Sequence, residues 1–189
     1  MNFQIHRVWI YRLLVGIAGV VMALSAVLPW WKCVVEHSQY GYQATVTIYQ
    51  YGILDAPMEV AGDITPPIQI FLGISYVAVS IVLMLWSTFL QKRKGQLVLG
   101  GVGLAYIFYA LAAAYIVITP RMAEMGGTLQ GYSEIMIPDY GEIVLITTAL
   151  QRGYYLAYIA GILSIILSLT RDYISGRDLP GTRAKSSNI

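Results

Sequence analysis

The chain has 189 residues, of which 57% are hydrophobic and only 12% are charged, and its mean hydropathy is +0.63. This composition excludes an ordinary soluble domain of the same length and indicates a protein whose solvent is the lipid bilayer. The formal net charge is only +2, so the charges are informative through their distribution along the chain.

Cys33 is the only cysteine, which excludes a disulfide bond within the chain. No Cys-x-x-Cys pair and no zinc-type spacing of Cys and His is present. An inert thiol is the simplest expectation for Cys33. A disulfide to another chain is the alternative if the residue faces an oxidising compartment.

The first predicted membrane span covers about residues 9–30. Arg12 precedes an uninterrupted apolar run, residues 13–28, that is rich in Gly, Ala and Val. A basic start followed by Ala23-x-Ser25 also fits a secretory signal peptide and its cleavage site. The apolar stretch of a signal peptide usually has roughly 7–15 residues, and this run is longer. We therefore expect a retained membrane helix.

Aromatic residues follow this first span directly. Pro29 is expected to end the helix, and Trp30 and Trp31 stand where an aromatic belt at the membrane interface belongs. They open the first outer region, which we assign to residues 31–65.

This first outer region is predicted to contain an antiparallel hairpin. Residues 32–38 have a strand-like pattern, 38–41 suit a turn, and 42–49 alternate strictly between the two faces of a strand. Residues 52–65 read as an acidic loop that returns to the membrane. Because an isolated hairpin is marginally stable in water, we expect it to rest on further strands or on the helix ends.

Three further spans are predicted at about residues 66–90, 97–119 and 150–170. The second and third spans are joined by a short basic turn, residues 91–96. The second outer region, residues 121–149, is predicted to be a loop that contains one short β-branched strand at 142–148. Residues 171–189 are expected to form a cytoplasmic tail.

The distribution of Lys and Arg predicts the orientation of these spans. Nine of them lie on one side and three on the other, namely Arg7, Arg12, Lys92, Arg93, Lys94, Arg171, Arg177, Arg183 and Lys185 against Lys32, Arg121 and Arg152. The positive-inside rule then places both termini in the cytoplasm and both long loops outside a cell membrane. The outer loops also hold eight of the ten carboxylates, which favours cations or basic partners over nucleic acid.

The predicted spans carry no Asp, Glu, Lys, Arg or His near their centres. Ionisable residues at such positions mark proton relays and transport pathways, so their absence disfavours a channel or transporter. The two histidines, His6 and His37, lie outside the span centres and cannot form a haem or copper site within the bilayer. Gly100-Gly101-x-Gly103 matches no nucleotide-binding spacing, and no hydrolase motif is present. We predict no catalytic, cofactor-binding or metal-binding residue.

Small residues form a stripe on two of the spans. They are Gly16, Gly19, Ala23 and Ala26 on the first span and Ala157, Gly161, Ser164 and Ser168 on the fourth. Such faces let helices approach closely. We expect them to pack within the chain, and lateral contact with another subunit is the alternative. Tyr106 and Tyr109, deeper in the third span, are expected to hydrogen-bond across the bundle.

The predicted order of helices and strands resembles the claudin-like tetraspan superfamily. Trp30-x-x-Cys33 is similar to the start of the first-loop signature of that family, and the strand at 142–148 falls where the family has its last strand. Two features differ: Tyr42-Gln43-Ala44 stands where the second loop cysteine belongs, and Leu28-Pro29-Trp30 replaces a Gly-Leu-Trp element. The resemblance implies a sheet supported by four helices and a role in lateral assembly, adhesion or accompaniment of other subunits, without catalysis.

We therefore predict an all-α four-helix transmembrane bundle with a small extracellular antiparallel β-sheet. Its expected function is non-enzymatic: the sheet mediates self-association, adhesion or binding of other membrane subunits, beside the contact of the helices with the lipid bilayer. The expected contact residues are Trp30, Trp31, Tyr40, Tyr42, Tyr49 and Tyr51, since aromatic residues give large contact areas. An accessory subunit of a respiratory or oxidase-type membrane enzyme is the alternative, and a channel or transporter is the third hypothesis.

Overall fold

The computed structural model describes residues 2–37, 43–55, 67–124, 126–137 and 142–175. Within these ranges the helices are α1 (Asn2–Val27), α2 (Pro67–Ser87), α3 (Lys92–Ala112), α4 (Thr119–Glu124) and α5 (Arg152–Ile174), and a π-helical segment, Ala113–Ile118, joins α3 to α4. The strands are β1 (Trp31–His37), β2 (Gln43–Tyr49), β3 (Gly52–Asp55), β4 (Gly131–Ile137) and β5 (Glu142–Leu150).

In the part of the chain that the structure describes, four helical segments are long and apolar enough to cross a membrane, which agrees with the predicted number. They are His6–Val27, Pro67–Ser87, Lys92–Ile118 and Arg152–Ile174. Their ends differ from the predicted ones. The first helix ends at Val27, so Trp30 lies beyond it, and the last helix continues four residues past 170 to Ile174.

The sequence predicts that the helix of the third span ends at Pro120, but the structure continues it through a π-helical segment, Ala113–Ile118, into α4. Proline cannot donate a hydrogen bond to the preceding turn and collides with it in a regular helix. The π-helical segment Ala113–Ile118 comes just before Pro120, which then lies in the first turn of α4. The chain therefore stays helical to Glu124, within the region predicted to be a loop.

Helix α5 packs against both α1 and α3. A Cβ atom added to Gly103 would lie 2.7 Å from the carbonyl oxygen of Gly161, so α3 and α5 approach each other closely at this point. Ala157 and Ser164 of the same face are also buried. The predicted small-residue face of the fourth span thus packs within the chain.

The buried face of α1 includes only half of the small-residue stripe expected for the first span: Gly19 and Ala26 are buried, and Gly16 and Ala23 are half-buried. A Cβ atom on Gly16 would have nothing within 4 Å. The other buried residues of α1 follow the spacing of one helix face; they are Tyr11, Val15, Ala18, Met22 and Ser25. Helix α2 is peripheral and buries only Val77, Ser80, Met84 and Ser87.

The strands form one antiparallel sheet in the order β3-β2-β1-β5-β4. Central strand β1 pairs with β2 from Trp31↔Ile48 and with β5 from Trp31↔Leu150. The predicted strands at 32–38, 42–49 and 142–148 are confirmed as β1, β2 and β5. Strands β3 and β4 were not predicted, and both lie at the edges of the sheet.

One face of the sheet covers a second small core beside the end of the helix bundle. Trp31, Cys33, Val144 and Ile146 point to this core. They pack with Ile118, at the end of the π-helical segment, and with Met122 of α4. The sheet therefore lies at the end of the bundle where α1 and the third segment finish and α5 begins. We call this the sheet end, and the opposite end, which contains the α2–α3 connection, the turn end.

Candidate interaction surface

Trp30 joins the bundle to the sheet and is not an interface anchor. Its side chain is only 1% exposed, and its indole Nε1–H donates a hydrogen bond of 2.7 Å to the Ser25 carbonyl oxygen. The ring meets those of Tyr109 and Tyr154 edge to face, each at 5.8 Å between centroids. This packing corrects the prediction that Trp30 contacts a partner, because no surface of the ring is accessible.

The backbone of Trp30 is held on both sides as well. Its N–H donates to the carbonyl oxygen of Ile48, and its carbonyl oxygen accepts from the N–H of Gln151, both at 2.8 Å. Gly153 lies so close that an added Cβ atom would be 2.7 Å from the Pro29 carbonyl oxygen. The segment after α1 is therefore fixed against the start of α5.

Trp31 is also an interior residue. It points to the core beneath the sheet, and its Nε1–H donates a hydrogen bond of 2.8 Å to the carbonyl oxygen of Leu129. The predicted contact role of Trp31 is corrected for the same reason as that of Trp30. Two adjacent tryptophans after a helix can enter two different cores because neighbouring residues of an extended chain point to opposite sides.

Tyr49 and Tyr51 are the predicted contact residues that the structure brings together. Their rings stack at 5.7 Å between centroids with an interplanar angle of 8°. Tyr51 lies against α2, since a Cβ atom on Gly73 would be 2.7 Å from the Tyr51 Cβ. Both residues are half-buried, so they support the turn between β2 and β3 and leave only part of each ring accessible. Predicted contacts Tyr40 and Tyr42 lie outside the described residues.

A buried polar network centred on Gln50 fixes the sheet to the bundle. The Gln50 side-chain Oε1 accepts a hydrogen bond of 2.7 Å from the Tyr106 hydroxyl, and its backbone carbonyl accepts one of 2.6 Å from the Tyr109 hydroxyl. The Tyr106 hydroxyl also lies 2.7 Å from Ser25 Oγ. The expectation of a hydrogen bond across the bundle is confirmed for Tyr106, which bonds to α1, whereas Tyr109 bonds to the β2–β3 turn. Sequence reasoning missed Gln50, although a Gln between two tyrosines in an apolar chain is a signal.

Only one of the two polar atoms of the Gln50 side-chain amide, Oε1, has a hydrogen-bond partner among the described residues. Its Nε2 is buried and has no hydrogen-bond partner among the described residues. If the amide were rotated, its Nε2 would donate a hydrogen bond to the Tyr106 hydroxyl. That hydroxyl would then donate to Ser25 Oγ, and the Ser25 hydroxyl donates to the Met22 carbonyl oxygen. The orientation of an amide is assigned from its hydrogen bonds. In either orientation Gln50 is bound to α3 and is connected to Ser25 of α1 through the Tyr106 hydroxyl.

The face of the sheet that points away from the core presents a mixed surface at strand β4. Tyr132 and Met136 are 60% and 64% exposed, and exposed Ile143 lies opposite Met136 on β5. Glu134 lies between them, and the Tyr132 hydroxyl donates a hydrogen bond of 3.0 Å to Glu134 Oε1. We call Tyr132, Glu134, Met136 and Ile143 the β4 margin.

Negative charge dominates around this margin. The register places Leu145 opposite Glu134 and Glu36 opposite Leu145, so two carboxylates flank one leucine on the same face. The hydrogen bond to Glu134 raises the pKa of the Tyr132 phenol, and partial burial and the charges of Glu134 and Glu36 raise it further. The β4 margin therefore combines apolar area with an acidic centre.

The turn end contains a buried cation that the sequence placed in the cytoplasmic tail. Arg171 is only 6% exposed. Its Nη1–H donates to the carbonyl oxygen of Ser87 at 3.0 Å, and its Nη2–H donates to that of Leu90 at 2.9 Å. The guanidinium also lies over the ring of Tyr11, 5.4 Å from its centroid. Arg171 thus binds the carbonyl groups that the end of α2 leaves free.

Cys33 is expected to resist alkylation in the folded protein. Burial raises the pKa of its thiol from 9.0 to about 11, so the thiolate fraction at pH 7.5 falls by about a hundredfold. Intact protein in nanodiscs and SDS-denatured protein can be treated with iodoacetamide and compared by mass. We expect slow labelling only of the folded form. Rapid labelling of both, or a dimer on a non-reducing gel, would contradict this placement.

Among the described residues no group of three or more His, Cys, Asp and Glu side chains is arranged to hold a metal ion. The sequence matches no protein-family model and no curated protein. The site must therefore be interpreted from its own geometry.

Proposed function

We propose that this chain is a non-enzymatic multi-pass protein of the cell membrane whose extracellular sheet mediates lateral self-assembly, adhesion or binding of a partner. Both termini are cytoplasmic in this proposal, because nine Lys and Arg lie on the side of the termini and three on the side of the sheet. The claudin-like architecture suggested by the sequence belongs to the same proposal.

The observation that carries the proposal is the β4 margin. Tyr132 and Met136 are large, exposed side chains on an edge strand. Edge strands have unpaired N–H and C=O groups and bind other chains readily, and Tyr and Met are enriched in protein interfaces. The contact surface therefore moves from the predicted Trp30–Tyr51 stretch to β4 and β5, with Tyr49 as a secondary contact.

Rigidity supports a binding role for the sheet. Trp30 and Gln50 connect it to the bundle through buried hydrogen bonds. A surface held in one arrangement loses little conformational entropy when it binds. The bundle thus acts as a support that presents the β4 margin outside the membrane.

The proposal is tested by replacing the exposed residues of the β4 margin. Wild type and the double variant Tyr132→Ser, Met136→Ser are purified from native membranes in mild detergent and compared by size-exclusion chromatography with light scattering and by crosslinking. We expect wild type to elute as an oligomer or with a stoichiometric partner, and the variant to lose it. Tyr173→Ser, at an 83% exposed residue of the turn end, is the matched control.

Two outcomes would contradict this assignment. A strictly monomeric wild type without any copurifying protein would end the proposal. A partner retained by the double variant would instead favour the alternative, an accessory subunit that binds another membrane protein through its helices. Helix α2 offers such a lateral face, with exposed Phe71, Leu72, Val79 and Val82, and substitutions there would then release the partner.

A further inference from the structure

We propose that β4 binds an extended basic segment of another protein as a sixth strand of the sheet, with a Lys or Arg of that segment opposite Glu134. This inference rests on the proposed partner-binding function and specifies the chemistry of the partner. It follows from three features of β4: a backbone edge that pairs with no other described strand, its exposed side chains and its charge.

The backbone of β4 has the length that strand addition requires. All seven residues pair with β5, from Gly131↔Thr148 to Ile137↔Glu142, and no other strand of the described chain pairs with β4. The N–H and C=O groups of alternate β4 residues therefore point away from the sheet. The opposite edge strand, β3, has only four residues, so β4 offers the longer site for added hydrogen bonds.

The side chains on β4 determine what an added strand would meet. Tyr132, Glu134 and Met136 occupy alternate positions on the face that points away from the core, and all three are exposed. Side chains of a sixth strand would lie about 4.5–5.5 Å from them, Cβ to Cβ. Apolar residues of the partner would contact Tyr132 and Met136, and the residue between them would face Glu134.

Within the described residues, no Lys or Arg pairs with Glu134. It forms no ion pair within the described part of the chain, and the hydrogen bond from Tyr132 leaves its second carboxylate oxygen available. The neighbouring charge across Leu145 is another carboxylate, Glu36. A Lys or Arg at the facing position would supply the missing counter-charge, and an opposite-charge pair across two strands is favourable.

The same charge disfavours a second copy of this chain at β4. In the antiparallel register that would pair all seven residues of two β4 strands, Tyr132 lies opposite Met136 and Glu134 lies opposite the second Glu134. Like charges directly opposite each other destabilise strand pairing. Eight carboxylates against three Lys and Arg in the outer regions and their borders also repel a second copy and attract a basic chain.

The test uses the full chain in phosphatidylcholine nanodiscs and two fluorescent heptapeptides, Thr-Val-Thr-Lys-Thr-Val-Thr and the same peptide with a central Glu. Binding is measured by fluorescence anisotropy, with empty nanodiscs as the background. We expect the Lys peptide to bind at least about tenfold more tightly than the Glu peptide. Glu134→Lys should reverse this preference. Glu36→Lys, the same charge change two strands away, should leave the sign of the preference unchanged.

A second arm separates strand addition from simple charge attraction. The Lys peptide is N-methylated either on its odd-numbered or on its even-numbered residues, which blocks one of its two backbone edges at a time. We expect one of these peptides to lose binding and the other to retain it. Equal binding of both, or no effect of Glu134→Lys on the preference, would overturn the inference.

Failure of this inference can be distinguished from failure of the proposed function. If Tyr132→Ser, Met136→Ser releases a native partner but the Lys peptide neither binds nor competes with it, the sheet binds a partner of another kind and only the inference about β4 fails. Crosslinks between the β4 strands of two copies would likewise overturn the inference and support self-assembly.

Discussion

Replacing Arg171 with alanine is expected to destabilise the folded chain by about 3 kcal/mol, since hydrogen bonds from a charged donor contribute about 1.5–3 kcal/mol each and water at the bundle end offsets part of the loss. The guanidinium donates hydrogen bonds to the carbonyl oxygens of Ser87 and Leu90. Its Nη1 lies 3.4 Å from the carbonyl oxygen of Lys92. Without it the carbonyl oxygens of Ser87 and Leu90 lose the hydrogen bonds from the guanidinium, and the α2–α3 connection loses this link to α5.

The effect should appear in the thermal unfolding of the detergent-solubilised protein. For a chain of this size about 3 kcal/mol corresponds to a decrease of about 6–12 °C in the midpoint. Arg171→Lys should fall between wild type and Arg171→Ala, because one ammonium group keeps the charge but cannot reproduce the planar fork of a guanidinium. Arg93→Ala removes a charge from an exposed side chain at the same end and is the matched control.

A steric variant tests the same arrangement independently. A Cβ atom on Gly95 would collide with the guanidinium of Arg171 and the carbonyl oxygen of Ser87. Gly95→Ala should therefore destabilise the chain although it removes no hydrogen-bonding group. In the double variant Gly95→Ala, Arg171→Ala the two effects should be less than additive, because the residues are in contact. Full additivity, or a midpoint of Arg171→Ala equal to that of Arg93→Ala, would show that Arg171 is not bound in this way.

The elements of the fold that are specified by a local sequence pattern could be predicted from the sequence. Hydropathy defines the four spans, and strict alternation defines β2, because both patterns are local. Strand β3 has only four residues and gives too little pattern. Strand β4 was missed because its two faces do not differ clearly: Tyr132, Glu134 and Met136 alternate with Ser133, Ile135 and Ile137, so neither face is distinctly polar.

The burial of Arg171 and Trp30 could not be predicted because it depends on contacts between residues that are distant in the sequence. An arginine at the end of an apolar run looks like the start of a cytoplasmic tail, and only the carbonyl groups 84 and 81 residues earlier explain the burial of Arg171. In the same way, two tryptophans after a proline look like an interface belt. The positions of Tyr109 and Tyr154, on other helices, show that Trp30 belongs to the core.

Trp30→Ala is expected to have the largest effect of any single substitution at the sheet end. Truncation of a buried Trp costs about 3–5 kcal/mol. Here it removes the edge-to-face contacts with Tyr109 and Tyr154 and leaves the Ser25 carbonyl without its indole donor. Because these contacts join the sheet to the bundle, we expect the sheet to separate from the helices before the helices unfold.

Cys33 provides a direct measurement of this uncoupling. It is the only cysteine and is buried under the sheet, so a fluorogenic maleimide reports when the sheet opens, while circular dichroism at 222 nm reports loss of helix. Heating wild type should give coincident transitions. In Trp30→Ala the midpoint of the maleimide transition should lie about 5 °C or more below that of the circular-dichroism transition. This difference is expected if the sheet is destabilised by about 3 kcal/mol and the helices are little affected.

Two matched variants define what the tryptophan contributes. Trp30→Phe keeps one aromatic ring but removes the Nε1–H donor and part of the indole volume, so we expect a smaller loss of about 1–2 kcal/mol. Trp9→Ala removes the same side chain from a position on α1 that is 65% exposed and should leave both transitions within about 1 °C of wild type, because little packing is lost. If Trp30→Ala shifts both transitions together, Trp30 stabilises the whole molecule and the sheet and bundle form one cooperative unit. If Trp30→Ala leaves both transitions as Trp9→Ala does, the Trp30 indole does not hold the sheet to the bundle.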